Sequence, residues 1–246
     1  MRKIIAIASM LLLGACEPAA QAGSSTDAYV LALTWHPAFC ETAPRRGECR
    51  SQTPGDTASR QFSLHGLWPQ PGTNVWCGTD ARSIAADKDG RWRDIDIDRL
   101  DEPLWRRLQA GMPGTRSQLH RHEWIKHGAC IKGATAASYF ETSLDLLDAV
   151  NGTALADLFE ANIGKRLSAA QVRDAFEADF GKGAGERVRI SCVDDGNRRV
   201  ISEITIGLKG ALPANPDRQA FAALVAASPP IEPGCPGGII DRAGDQ

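Results

Sequence analysis

The sequence predicts an α+β fold, an antiparallel β-sheet core packed with several α-helices. Three observations predict it. Segments of strand character lie near both ends of the chain, at 28–35 and 61–67 and again at 187–208. Between them, apolar residues recur at helical spacing. The two late strand segments are joined by turn chemistry short enough to pair them antiparallel.

In order along the chain, residues 17–27 are small and polar and read as a spacer. Ala28–Trp35 is almost continuously apolar, which suits a strand in the middle of a sheet. A polar, arginine-containing segment carrying Cys40 and Cys49 follows. Gln61–Leu67 is a second strand, running into Trp68-Pro69. Residues 69–95 are rich in Gly, Asp and Pro and are expected as a long loop. Leu100, Leu104, Trp105 and Leu108 have helical spacing, with Pro103 tolerable only in the first turn. After Pro113-Gly114 a helix should carry His122–His127, ended by Gly128 as a left-handed cap. Tyr139, Phe140, Leu144, Leu147 and Val150 mark another helix, and Leu155, Leu158 and Phe159 a shorter one. Ser168-Ala169-Ala170-Gln171 is a capping-box pattern opening a helix through Phe180, stopped by Gly181. Arg187–Val193 and Arg199–Leu208 alternate as strands around a hairpin at Asp194–Arg198, and Gly237–Asp241 adds a short final strand. There is no internal repeat and no clear linker, so 27–246 reads as one domain.

The 246 residues carry a formal charge of −2, and loss of Arg2 and Lys3 with a leader would bring it near −4. Such a chain does not hold nucleic acid by bulk electrostatics; a polyanionic substrate would need a local site. Arg2 and Lys3 precede an apolar run, Ile4–Leu13, too short to span a bilayer, so residues 1–22 are expected to be a signal peptide. Leu13-Gly14-Ala15-Cys16 resembles a bacterial lipoprotein box, with cleavage before a lipidated Cys16, while Ala20-Gln21-Ala22 offers an ordinary exit. Either route implies a periplasmic or secreted protein, touching a membrane only through an anchor at Cys16. Seven cysteines less Cys16 leave Cys40, Cys49, Cys77, Cys130, Cys192 and Cys235. An even number in an exported chain suggests disulfides, with 15 pairings open; no Cys-x-x-Cys occurs to favour redox chemistry or thiolate zinc.

Only five histidines occur, His36, His65, His120, His122 and His127. His65 stands in Phe62-Ser63-Leu64-His65-Gly66-Leu67-Trp68-Pro69. His122-Glu123-Trp124-Ile125-Lys126-His127-Gly128-Ala129-Cys130 adds a second cluster. On a helix, His122, Lys126, Glu123 and His127 project at roughly 0°, 40°, 100° and 140°, one chemical face, with Trp124 and Ile125 opposite. Two imidazoles can serve as an acid and base pair near neutral pH, and an ammonium group between them can stabilise a developing oxyanion. That set suffices to break a phosphodiester without metal, using a ribose 2′-hydroxyl as nucleophile. A lone histidine is ordinarily structural; this grouping is not what packing alone would place together. A zincin would need its second histidine at position 126, which is a lysine. Neither Gly-x-Ser-x-Gly nor a Walker A loop is present. His120 is expected to face solvent.

The two motifs strongly resemble those of the ribonuclease T2 family, in the right order, and Tyr29–Cys40 resembles the opening strand of its bacterial periplasmic members. The resemblance extends over about residue 27 to the C-terminus. It implies a ribonuclease T2-like catalytic domain, an endoribonuclease cleaving single-stranded RNA by metal-independent transphosphorylation through a 2′,3′-cyclic phosphate, with low base specificity. It implies no cofactor, no metal, no DNA partner and a monomer. By motif position, His127 corresponds to the general base and His65 to the acid. Lys126 and Glu123 correspond to residues that stabilise the pentacovalent phosphate, His122 to a phosphate-binding histidine and Trp68 to a base-binding aromatic. The family also implies the disulfides Cys40–Cys49, Cys77–Cys130 and Cys192–Cys235. Gln70 departs from the family pattern, where an acidic residue or glycine is found, so base preference does not carry over. The alternative reading is a non-catalytic RNA-binding or signalling protein on the same scaffold.

Overall fold

A computed structural model describes residues 27–244; the expected leader and Cys16 lie outside the described residues. The chain runs β1 (Ala28–Thr34), α1 (His36–Thr42), α2 (Gly47–Arg50), β2 (Ser63–Pro69), α3 (Ala81–Lys88), α4 (Glu102–Gly111) and α5 (Leu119–Lys126). It continues with α6 (Ala136–Asn151), α7 (Ala154–Ala161), β3 (Arg166–Ser168), α8 (Ala169–Phe180), β4 (Val188–Asp195), β5 (Arg198–Lys209), α9 (Arg218–Ala227) and β6 (Gly237–Ile239). The strands form one sheet of order β2-β1-β5-β6-β3, with β4 also pairing β5. Every pairing is antiparallel except that of β5 with β6, which meet in parallel at Val200 and Ile239. The sheet is therefore mixed at one point, because the chain returns through α9 before adding β6.

β1 lies between β2 and β5, and its apolar run is buried on both faces: Leu31, Ala32 and Leu33 have no exposed surface. α6 packs its Tyr139, Phe140, Leu144 and Leu147 into the same core. Truncating a ring such as Phe140 to alanine there costs about 3–5 kcal/mol, from lost transfer energy and the cavity left behind. The capping box at Ser168 and Gln171 forms in both directions and opens α8. Pro103 sits in the first turn of α4, behind the Asp101 N-cap.

The segment expected as a long loop contains α3. Its side chains are polar and short of hydrophobic periodicity, but Asp80 accepts from the backbone of Arg82 and Ser83 and fixes its start. The segment carrying Cys40 and Cys49, to which the sequence assigned no regular structure, folds as two short helices. β3 and α9 were not anticipated, although Phe221, Leu224 and Val225 of α9 have helical spacing. His120 does not face solvent: it is buried against Trp105 of α4 and Phe140 of α6, because α5 is sandwiched between the core and the loop before it.

Three disulfides join Cys40 to Cys49, Cys77 to Cys130 and Cys192 to Cys235. Among the described residues, no helix is long and apolar enough to cross a membrane.

Candidate active site

Two elements meet at the site. β2 brings His65 and Trp68; α5 brings His122, Glu123 and Lys126, with His127 at its C-cap. The positioning of His65 is unusual. β1 and β2 pair Leu33 with Leu64 and Ala32 with Gly66, which leaves His65 as an extra, unpaired residue. This β-bulge breaks the alternation of the strand and re-aims the imidazole out of the ladder.

α5 stops at Lys126, one residue before the histidine it was expected to carry, and Gly128 opens a 3₁₀ turn instead of providing a left-handed cap. The glycine is needed for packing. A Cβ there would lie 2.5 Å from the Trp124 ring and 2.9 Å from that of Tyr139. Tyr139 in turn holds β2: its hydroxyl accepts from the Leu67 N–H at 3.1 Å and donates to the Leu67 carbonyl.

Glu123 is the centre of the arrangement. It is 1 % exposed, and its Oε2 accepts from the Trp68 indole N–H at 2.8 Å. Its Oε1 lies 3.6 Å from His65 Nε2 and 3.8 Å from His122 Nε2. Each of those rings is held from behind by another carboxylate. His65 Nδ1 is 2.7 Å from Glu203 Oε2, and His122 Nδ1 is 2.6 Å from Asp87 Oδ1. Across the site the groups therefore alternate: Glu203, His65, Glu123, His122, Asp87. Asp87 also accepts from the Trp76 indole at 2.8 Å, and the Trp76 backbone N–H donates to the carbonyl of Lys126. The Cys77–Cys130 disulfide fastens the same two segments covalently.

Among the described residues, no carboxylate hydrogen-bonds the ring of His127 in this way. Its ring lies 5.5 Å from that of Trp68, which is also 5.2 Å from the ring of His65, so one indole sits against both histidines. The electrostatics of the two differ accordingly. Burial pulls the His65 ring down, but the Glu203 hydrogen bond and the Glu123 and Glu203 charges outweigh that, against Lys126, and leave its pKa above 6.5. Burial, then the positive neighbours Lys126, His122 and His65, lower His127 to about 3. Glu123 is raised by burial, with His65, His122, the Trp68 N–H and Lys126 pulling the other way.

Beside His65 opens a cleft of about 300 Å³, lined among others by Phe39, Arg46, Trp92 and Glu203. The Arg46 guanidinium lies 5.4 Å from the centre of the Trp92 ring, and Trp92 stacks at 4.9 Å on His122. His122, Glu123 and His127 bring donor atoms within 4.8 Å of one another, a chemically suitable set for a cation. The Lys126 ammonium and the cationic bias of His65 place positive charge at the same spot, and Asp87 already holds the far nitrogen of His122. The ammonium group beside these donors disfavours a dication there.

The structure thus gathers His65, Trp68, His122, Glu123 and His127 into one cluster, with Lys126 adjoining. Trp68 is engaged with Glu123 and the histidine rings. Asp87, Trp92 and Glu203 were missed in the sequence. Asp87 and Trp92 lie in the stretch expected as a loop, and Glu203 is a polar position in a strand 138 residues from His65.

A family model described as "Ribonuclease T2 family" matches residues 26–221. Ribonuclease I of Escherichia coli is 30 % identical over 204 residues, covering 74 % of this chain and 75 % of its own. A ribonuclease of Aeromonas hydrophila is 32 % identical over 150 residues, 59 % of this chain and 58 % of its own. Among solved structures, Japanese pear S3-RNase superposes with a TM-score of 0.54 at 16 % identity, covering 88 % of this chain and 99 % of its own.

Proposed function

This chain belongs to the ribonuclease T2 family, and from that premise we propose that it cleaves single-stranded RNA by metal-independent transphosphorylation, with low base specificity. The observation that carries the reading is the opposed environment of two imidazoles packed on one indole. His127, kept unprotonated, is suited to take the 2′-hydroxyl proton. His65, kept protonated by its carboxylates, is suited to donate to the leaving 5′-oxygen. The bound phosphodiester adds negative charge beside His127 and raises its basicity toward the working range.

Attack by the 2′-oxygen closes a 2′,3′-cyclic phosphate as the 5′-oxygen departs with the proton from His65. Charge on the pentacovalent phosphorus is met by Lys126 and His122, while buried Glu123 holds the two neighbouring imidazoles apart and in register. The cleft beside His65 offers aromatic surface at Trp92 and Phe39 on which a flanking base can stack, a mode that tolerates any base. Three disulfides accord with work outside the cytoplasm, in the periplasm or secreted; we take 27–246 as one catalytic domain acting as a monomer.

The test is a panel of RNA homopolymers digested in EDTA, with product ends identified. Cyclic-phosphate termini should appear with every polymer, and His65→Ala or His127→Ala should each lower the rate by about 10²–10⁴. RNA binding without cleavage, or dependence on a divalent ion, would overturn the proposal.

A further inference from the structure

His65 is one of several groups that face one another across three strands. Thr34 of β1 pairs with Ser63 of β2 on one side and with Glu203 of β5 on the other. The bulge frees His65 from the ladder just beyond Ser63. Glu203 therefore reaches it across the short side chain of Thr34, at the point where β1 ends and the chain turns into α1. The contact is a direct one, 2.7 Å between ring nitrogen and carboxylate oxygen. Among the described residues, neither side chain hydrogen-bonds another group of the sheet, and both line the cleft.

We propose that Glu203 is the positioning residue of His65: it fixes the tautomer with hydrogen on Nδ1 and aims Nε2 at the scissile phosphate. The inference rests on the assignment of His65 as the acid. A carboxylate behind an imidazole acts in two ways. It locks the ring against rotation, and it stabilises the imidazolium, so that the proton to be donated is in place before substrate arrives. The other charged groups facing the ring are Glu123 and Lys126 of α5 and His127 beyond it. Glu123 lies 3.6 Å from Nε2, beyond hydrogen-bonding reach, and a carboxylate on that side would favour hydrogen on Nε2; among the described residues, Glu203 alone hydrogen-bonds Nδ1 and favours hydrogen there.

The experiment compares wild type with Glu203→Gln, Glu203→Asp and Glu203→Ala. Histidine ring resonances are titrated by NMR, and kcat and KM are measured against pH on a dinucleoside phosphate. In wild type His65 should titrate above 6.5. The glutamine amide keeps an acceptor but loses the charge. Its His65 titration should move to lower pH, and the alkaline limb of kcat should move down with it. In the alanine variant kcat should fall by about 10–100-fold, with KM nearly unchanged and the ring nitrogen signals reporting a mixed tautomer. Aspartate should restore part of the loss. A His65 titration identical in all four proteins would overturn the inference, as would a loss confined to KM. A titration that moves while the alkaline limb stays put would instead refute the acid assignment of His65, leaving its coupling to Glu203 intact.

Discussion

Gly66→Ala is expected to disable the enzyme through Glu123. A Cβ at position 66 would lie 2.0 Å from Glu123 Oε2, 2.8 Å from its Cδ and 2.6 Å from the Trp68 indole nitrogen. To regain the 3.4 Å of ordinary contact, the carboxylate must retreat by about 1.4 Å. It has nowhere to go that keeps the Trp68 hydrogen bond and both imidazoles, because it is buried between them. Overpacking costs about 1–3 kcal/mol. Losing a hydrogen bond to a charged group adds about 1.5–3 kcal/mol. Together these predict a stability loss of about 2.5–6 kcal/mol and a fall in Tm of about 5–24 °C for a chain of this size. Misplacement by about 1 Å can cost about 10² in rate. The assays are thermal denaturation and kcat/KM on RNA, with Gly55→Ala as control, where the added Cβ would meet nothing closer than 3.8 Å. Trp68→Phe removes the indole donor and part of the ring without adding an atom beside Glu123, so it should lose activity with a smaller loss of Tm than Gly66→Ala. A Gly66→Ala enzyme within twofold of wild type would refute the reasoning.

The pH dependence of kcat/KM should be broad and skewed to acid. On the proposed roles, activity should be lost on the alkaline side as His65 gives up its proton above 6.5, and on the acid side as Glu123, raised above its ordinary 4.5, is neutralised before His127 titrates near 3. Stability should fall in acid partly through His120. Burial lowers its pKa to about 4, so the fold is fully favoured above the unfolded value near 6.5 and loses about 3 kcal/mol as pH falls toward 4. His120→Leu should leave the stability at pH 7 within about 1 kcal/mol and flatten that acid limb, as followed by denaturant titration. Replacing both Cys77 and Cys130 by serine opens a loop with a sequence separation of 53, which on chain entropy costs about 4 kcal/mol and about 8–16 °C in Tm.

Much of this was legible in the chain. The apolar run of β1, the capping box of α8 and the turn between β4 and β5 each carry their own local cause, and each formed near where it was expected. The histidine motifs were legible because they concentrate ionisable groups that a core would not gather. What escaped is long-range or weakly patterned. Nothing in Ile201–Thr205 says that Glu203 meets an imidazole two strands away, because that depends on sheet order and on a bulge. α3 escaped since a polar helix held by its cap shows no periodicity, and Asp87 was hidden with it. Gly128 was read as a backbone device when its small size is what matters.

The clasp between residues 76–77 and 126–130 is in part a disulfide, so the completeness of the candidate cluster is expected to depend on oxidation. A newly synthesised chain whose thiols are still reduced keeps the hydrogen bonds of Trp76 but lacks the covalent half of that clasp, which is expected to loosen the placement of Asp87 behind His122. Such a nuclease is expected to be feeble among the ribosomes and messengers of the cell that makes it. It would reach full strength only where thiols are oxidised, so the chemistry of the compartment would serve as its safety catch.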